Sequence, residues 1–258
     1  MAIEFVGRKS AASSGPIALT GLVGGIGTEA LSGDLVVVVA AGGGTSNASI
    51  SVSSPSGFSE HADLYSNDNY DINLGVYTKI MGETPDTGVT VSSMTNPYTA
   101  VFVWRGVDQD NPLDATPTTA TGTNSINFDP PSITTVTDNA IVVLIGGMSF
   151  TGSAFTPPGG YETLFGRLGE PSIVVCTKTK SVAGVENPPA GSWATDSTLD
   201  SWAAVTMALR PSSDGGGNIK IWNGSNWVAK PVKIWNGSAW VTKPVKVWNG
   251  SSWVTTPY

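Results

Sequence analysis

A chain of 258 residues with one cysteine, Cys176, has no intrachain disulfide framework, and none of its apolar runs reaches the about 18 residues of a membrane-spanning helix. Charged residues make up only 13% of the chain, and the net charge of −7 is unevenly divided. Residues before Lys220 carry 8 basic and 20 acidic side chains, while the segment from Lys220 carries five lysines and no acid, which argues against nucleic-acid binding by the larger part.

In chain order, strand-like runs fall at residues 35–41, 72–80, 100–104, 140–145, 173–177 and 203–209. Gly, Ser, Thr and Asn are abundant between them, and no stretch holds a helical period with caps. The four consecutive valines at 36–39 predict a strand buried on both faces.

A weak internal repeat runs through the same region. Gly33-Asp34-Leu35-Val36 resembles Thr137-Asp138-Asn139-Ala140, and Pro55-Ser56-Gly57-Phe58 resembles Pro158-Gly159-Gly160-Tyr161. Val76-Tyr77-Thr78-Lys79 resembles Val175-Cys176-Thr177-Lys178. Ala100 to Arg105 resembles Ala204 to Arg210 with one residue inserted. Four matches in the same order at nearly constant offset predict a duplication, about 1–107 and 108–211. The expected fold is all-β: a jelly-roll-like two-sheet sandwich built from two similar halves over 1–211. A pair of immunoglobulin-like sandwiches is the alternative. It is less favoured because each copy shows four or five strands and no linker separates them; residues 108–117 look turn-like.

Chemistry-bearing residues are sparse. His61 is the only histidine and reads as a solvated loop residue, with no nucleophile-elbow pattern nearby. One His and one Cys are too few for a zinc site. Cys176, beside Val174 and Val175, reads as a buried strand thiol. Two acidic loops, 63–71 and 108–114, are oxygen-rich, but neither has EF-hand spacing and such turns are ordinary in β proteins. No enzyme activity, metal or cofactor is expected. Tyr65 and Tyr70, with Asp68 and Asp71 as hydroxyl acceptors, are the candidate platform for a sugar. Trp104 could join them, but it ends an apolar strand and reads as core.

Residues 212–218 read as a Gly/Ser linker, and 219–258 as three 13-residue β-hairpin repeats. Trp222, Trp235 and Trp248 are equivalent, as are Trp227, Trp240 and Trp253. Asn-Gly flanked by Val, Ile and Trp is a hairpin-turn signal. Two registers are open: a two-residue Asn-Gly turn, or a four-residue loop that sets tryptophan opposite tryptophan. Burying these six tryptophans and nine Ile or Val residues at best offsets the entropy of ordering the segment. The six tryptophans are therefore expected to be completed by other copies or by a neighbouring protein, as an assembly element. The lysines follow the hairpin period and suit an acidic glycan or acidic protein better than nucleic acid.

The repeat Lys-(Ile/Val)-Trp-Asn-Gly-Ser-x-Trp-Val resembles the C-terminal repeats of virion proteins of tailed bacteriophages. Trp104-Arg105-Gly106-Val107-Asp108, followed by Asn111-Pro112-Leu113-Asp114, resembles a β-sandwich domain of phage and bacterial surface proteins. The resemblance implies a virion structural protein of the minor tail, tail-tip or fibre type. It would be made in the host cytoplasm, as the lack of a basic region and apolar stretch at the N-terminus also suggests. Its expected partners are other virion proteins, further copies of itself (a trimer foremost) and a host surface glycan, with no nucleic acid and no membrane insertion. The alternatives are a capsid decoration or head-fibre protein, and a carbohydrate-binding or carbohydrate-active module.

Overall fold

The six apolar runs become the inner strands of two five-stranded antiparallel sheets. The computed structural model describes the chain except residues 1, 45, 68–69, 93, 150, 195–199, 213–217, 223, 226, 243–245, 249–252 and 256–258. Among the described residues the fold is all-β and contains no helix. Two compact units are present: Ile3–Pro211, and Ser212–Tyr258 with Met1–Ala2.

The first half of the larger unit contains β1 (Glu4–Ala11), β2 (Ile17–Ala18), β3 (Leu35–Gly44), β4 (Val52–Ser54), β5 (Ser59–Ser66), β6 (Asp71–Ile80), β7 (Gly88–Val91) and β8 (Tyr98–Arg105). The second contains β9 (Leu113–Ser125), β10 (Asn127–Phe128), β11 (Ile133–Thr135), β12 (Ala140–Met148), β13 (Ala154–Thr156), β14 (Glu162–Arg167), β15 (Ser172–Lys180), β16 (Gly184–Glu186), β17 (Gly191–Ala194) and β18 (Asp200–Leu209). The large sheets run β1-β8-β3-β6-β5 and β9-β18-β12-β15-β14. The small sheets run β2-β7-β4 and β10-β17-β13, and β11 pairs with β16. The strand order of one half is that of the other. The sandwich of two similar halves therefore forms with each half supplying one whole large sheet.

The two large sheets face each other across a shared apolar seam. Leu35, Val37, Val39, Leu74, Val76 and Phe102 meet Val143, Ile145, Val175, Val205 and Met207. The alternate residues Val36, Val38 and Val101 point outward and are covered by Ile17, Leu19, Val89 and Val91. In the second half, Val142, Leu144, Val174 and Ala204 are covered by Phe128, Ile133 and Trp193. This double cover explains the continuous valines: each central strand has no solvent face.

Register sharpens the duplication. Val37 pairs with Thr78 and Phe102, and Val143 pairs with Thr177 and Met207. The true counterpart of Val37 is thus two residues beyond the one suggested by matching Asp34 to Asp138. A β-bulge recurs at the same place: His61 is the extra residue between Glu60 and Ala62, and Leu164 between Thr163 and Phe165. Gly57 and Gly160, in the matched Pro-x-Gly-aromatic turns, both have left-handed φ angles, 90° and 84°.

A polar staple recurs as well. Lys79 pairs with Asp86 at 2.7 Å and lies over the Phe58 ring. Lys178 pairs with Glu186 at 2.7 Å and lies over the Tyr161 ring, whose hydroxyl also donates to Glu186. Each staple ties the turn before the bulged strand to its neighbour. Burial tends to raise the Glu186 pKa, but hydrogen bonds from Lys178 and Tyr161 and the charges of Lys178 and Lys180 outweigh it and hold the carboxyl below its ordinary value.

Residues 113–117, read as turn-like, are instead the start of β9. Among the described residues this strand pairs with β18 alone, so Pro117 sits on an edge strand at a register shift, where its missing N–H breaks no ladder bond. Gly122 lies opposite Trp202, and a Cβ there would come within 2.6 Å of the indole ring.

Two outcomes follow from these contacts. Gly122→Ala lowers the unfolding free energy of the sandwich by about 1–3 kcal/mol in chemical denaturation, because the indole must move. Glu186, with its folded pKa depressed, contributes stability that is complete above its ordinary pKa of 4.5 and is lost as pH falls through the folded value. Denaturation midpoints across acid pH will therefore show a shallower decline for Glu186→Gln than for the native chain.

Candidate functional site

The candidate sugar platform lies where β5 turns into β6. Tyr65 pairs with Asn73 across that hairpin, and its hydroxyl donates to Asp71 Oδ2 at 2.5 Å. Asn67 Nδ2 donates to the Tyr65 hydroxyl at 3.1 Å. The hydrogen bond to Asp71 raises the Tyr65 pKa above its ordinary value. Asp71 is buried, so its role here is to hold Tyr65 rather than to offer an open acceptor. Tyr70 is 53% exposed, and its backbone carbonyl accepts a bond from Ser201 Oγ at 2.6 Å. Ser66 Oγ donates to the Gly122 carbonyl, so β9 and β18 of the second half pin this loop at both ends. Of the four residues named from sequence, Tyr65 and Asp71 come together, Tyr70 stands apart as an exposed ring, and Asp68 lies outside the described residues.

Trp104 is buried, with its ring centroid 4.9 Å from that of Phe5, and belongs to the seam. Cys176 is a fully buried strand thiol whose pKa burial pushes up to about 12, which removes thiolate chemistry near neutral pH. His61 is a correction to the sequence reading. It is not a solvated loop residue but the bulged residue of β5, partly buried, with Nε2 2.7 Å from Thr78 Oγ1. The polar neighbours of the bulge and the strand pairing are invisible in the local sequence Ser59-Glu60-His61-Ala62.

The acidic stretch after β8 is a turn. Asp108 Oδ1 accepts bonds from the backbone N–H groups of Asp110 and Asn111. Asp114 is buried and bonds Arg210 and the N–H groups of Val136 and Thr137. Among the described residues no group of three or more His, Cys, Asp or Glu could hold a metal ion. No helix among them is long and apolar enough to cross a membrane.

The C-terminal unit presents a different surface. Its strands are β19 (Asn218–Trp222), β20 (Trp227–Pro231), β21 (Lys233–Trp235), β22 (Trp240–Thr242), β23 (Lys246–Trp248) and β24 (Trp253–Thr255). They pair as three separate two-stranded sheets, with Trp222 opposite Trp227, Trp235 opposite Trp240, and Trp248 opposite Trp253. This is the four-residue-loop register. In the second hairpin, Asn236 Oδ1 accepts bonds from Ser238 N, Ser238 Oγ and Ala239 N, and Asn236 N donates to the Ala239 carbonyl. The Trp235 and Trp240 rings meet edge to face with centroids 5.9 Å apart.

Both rings remain 54% and 66% exposed. By alternation, Ile234 and Val241 lie on the opposite face of the same hairpin, and Ile234 is 46% exposed. The first hairpin repeats this with Trp222 and Ile221, both exposed. Each of these hairpins is thus apolar on both faces.

No family model matches the chain, and neither the curated proteins nor the solved structures contain a match to it.

Because His61 is the only histidine, its titration can be followed alone. Burial lowers its pKa from 6.5, so the neutral ring is favoured in the folded chain. Its contribution to stability is complete above 6.5 and is lost as pH falls toward the folded value. An NMR titration of the imidazole in the native chain gives a midpoint below 6.5, which returns to the ordinary value on denaturation.

Proposed function

We propose that the chain is a structural component of a bacteriophage particle, of the minor tail, tail-tip or fibre type. In this reading the sandwich is the displayed module and the basic tryptophan hairpins are the element through which copies join each other and neighbouring virion proteins. The observation that carries the assembly role is the exposure of Trp235 and Trp240 on one hairpin face with Ile234 on the other. A two-stranded hairpin is marginal in water by itself, and one with two apolar faces gains most by being covered on both. The five lysines of this segment and its lack of acid favour an acidic surface among the partners. The resemblance of the hairpin repeat to virion-protein repeats supplies the particle. A trimer is the favoured copy number, and Tyr70 is the ring best placed to meet a host glycan.

Size-exclusion chromatography with light scattering tests the assembly element. The full chain runs as an oligomer, and the double variant Trp235→Ser, Trp240→Ser shifts toward monomer with the unfolding of the sandwich unchanged. A native chain that stays monomeric and binds no virion protein sinks the reading. Copy number in the purified particle separates the locations: a small multiple of three places the chain in the tail, and hundreds would make it a capsid decoration protein.

A further inference from the structure

We infer that Asn236 is a self-modifying residue: its turn is pre-organised to convert the side-chain amide into a carboxylate through a succinimide. The step begins when the Gly237 backbone nitrogen loses its proton to water or hydroxide and attacks Asn236 Cγ. A C–N bond forms and the carbonyl electrons move onto Oδ1. The tetrahedral centre then collapses and expels Nδ2, which leaves as ammonia after taking a proton from water. Water opens the resulting five-membered imide at either carbonyl and yields aspartate or isoaspartate. The balance is one water consumed and one ammonia released, with no oxidant or reductant.

Three observations place this chemistry at Asn236. First, the oxygen that must carry the developing negative charge already accepts three hydrogen bonds, from Ser238 N at 2.9 Å, Ser238 Oγ at 3.0 Å and Ala239 N at 2.8 Å. Donors aimed at a developing oxyanion, fixed before reaction, lower the barrier because nothing has to reorganise. Second, the attacking nitrogen is open. Among the described residues no backbone hydrogen bond engages the Gly237 N–H, and a Cβ at Gly237 would meet nothing within 4 Å. Third, Asn236 and Gly237 are both exposed, so water reaches the nucleophile, the leaving nitrogen and the imide.

The same Asn-Gly-Ser sequence stands at Asn223 and Asn249, and Asn-Gly occurs nowhere else in the chain. Each conversion adds one negative charge to a segment with five lysines and no acidic side chain, so reaction at all three takes its side-chain charge from +5 to +2. An isoaspartate would also lengthen the backbone of the loop that sets Trp235 opposite Trp240. The turn is thus a chemical clock on the charge and shape of the hairpin, whatever partner the hairpin meets.

The test is peptide mapping by mass spectrometry of the full chain, incubated in mildly alkaline buffer made with heavy-oxygen water. Native protein is compared with protein unfolded in guanidinium. The expected result is heavy-oxygen incorporation at Asn236 several-fold faster in the native chain than in the unfolded one. Ser238→Ala, which removes the hydroxyl donor, slows the native rate and leaves the unfolded rate unchanged, whereas Ser238→Thr restores it. Gly237→Ala slows both. A native rate equal to or below the unfolded rate overturns the oxyanion assignment, and a Gly237→Ala chain that reacts as fast as the native one overturns the succinimide route. Gly237 has a left-handed φ of 103°, so near-ultraviolet circular dichroism, compared with the native chain and with Trp235→Ser, Trp240→Ser as the baseline for loss of the ring pair, checks that each variant compared keeps its hairpin.

Discussion

The seam between the two five-stranded sheets is the contact on which the larger unit depends. Val37, Val39, Leu74 and Phe102 on one side, and Val143, Ile145, Val205 and Met207 on the other, are almost wholly removed from water. At about 25 cal/mol per Å², a continuous apolar face of this kind outweighs any single polar contact in the fold. Without its partner, either half would expose the inner face of its large sheet. The rims are closed by aromatic and cationic side chains that reach across: Phe165 meets Phe102 and Tyr98, and Arg167 lies 4.3 Å from the centroid of the Tyr98 ring. Sheet order, bulge and cover are all arranged so that this face is dry and shared.

Duplication is preserved in the geometry more faithfully than in the chemistry. Tyr77 and Cys176 occupy the same strand position facing the small sheets, and His61 and Leu164 the same bulge. An arginine at the end of the last inner strand clamps a buried carboxylate in both halves. In the first, Arg105 holds Asp34, which also accepts the Leu31 N–H. In the second, Arg210 holds Asp114, which accepts the N–H groups of Val136 and Thr137. The carboxylate immediately precedes β3 in the first half and lies in β9 in the second, yet it anchors the loop that leads into the central strand both times. What persists is the need to satisfy buried backbone donors beside a buried charge, not the identity of the residue that does it.

The C-terminal unit inverts this logic. The sandwich hides its apolar side chains on both faces of every inner strand, whereas the first two hairpins leave tryptophan on one face and isoleucine on the other in water. The turn of the second hairpin is well specified, since Asn236 Oδ1 alone satisfies three donors of its loop. Local order combined with an uncovered apolar surface is the physical signature of an element whose core is completed by something else. The proposed role in particle assembly rests on that contrast.

The inner strands could be read from the chain because burial on two faces leaves uninterrupted apolar runs, and all six runs became β3, β6, β8, β12, β15 and β18. The two halves were legible through Pro-x-Gly-aromatic turns and Thr-Lys pairs, because turn geometry and the polar staples constrain residue type locally. The edge strands β1, β5, β9 and β14 were not, since a strand with one wet side carries mixed polar residues and, in β9, a proline. Nor could the sequence tell that Asp71 is buried against Tyr65, that His61 is a bulge residue, or which register the hairpins take. Those depend on which backbone lies alongside, and only the folded sheets decide that. A chain specifies by itself what must be hidden from water; the pairing of distant strands decides which polar side chains are left free to act.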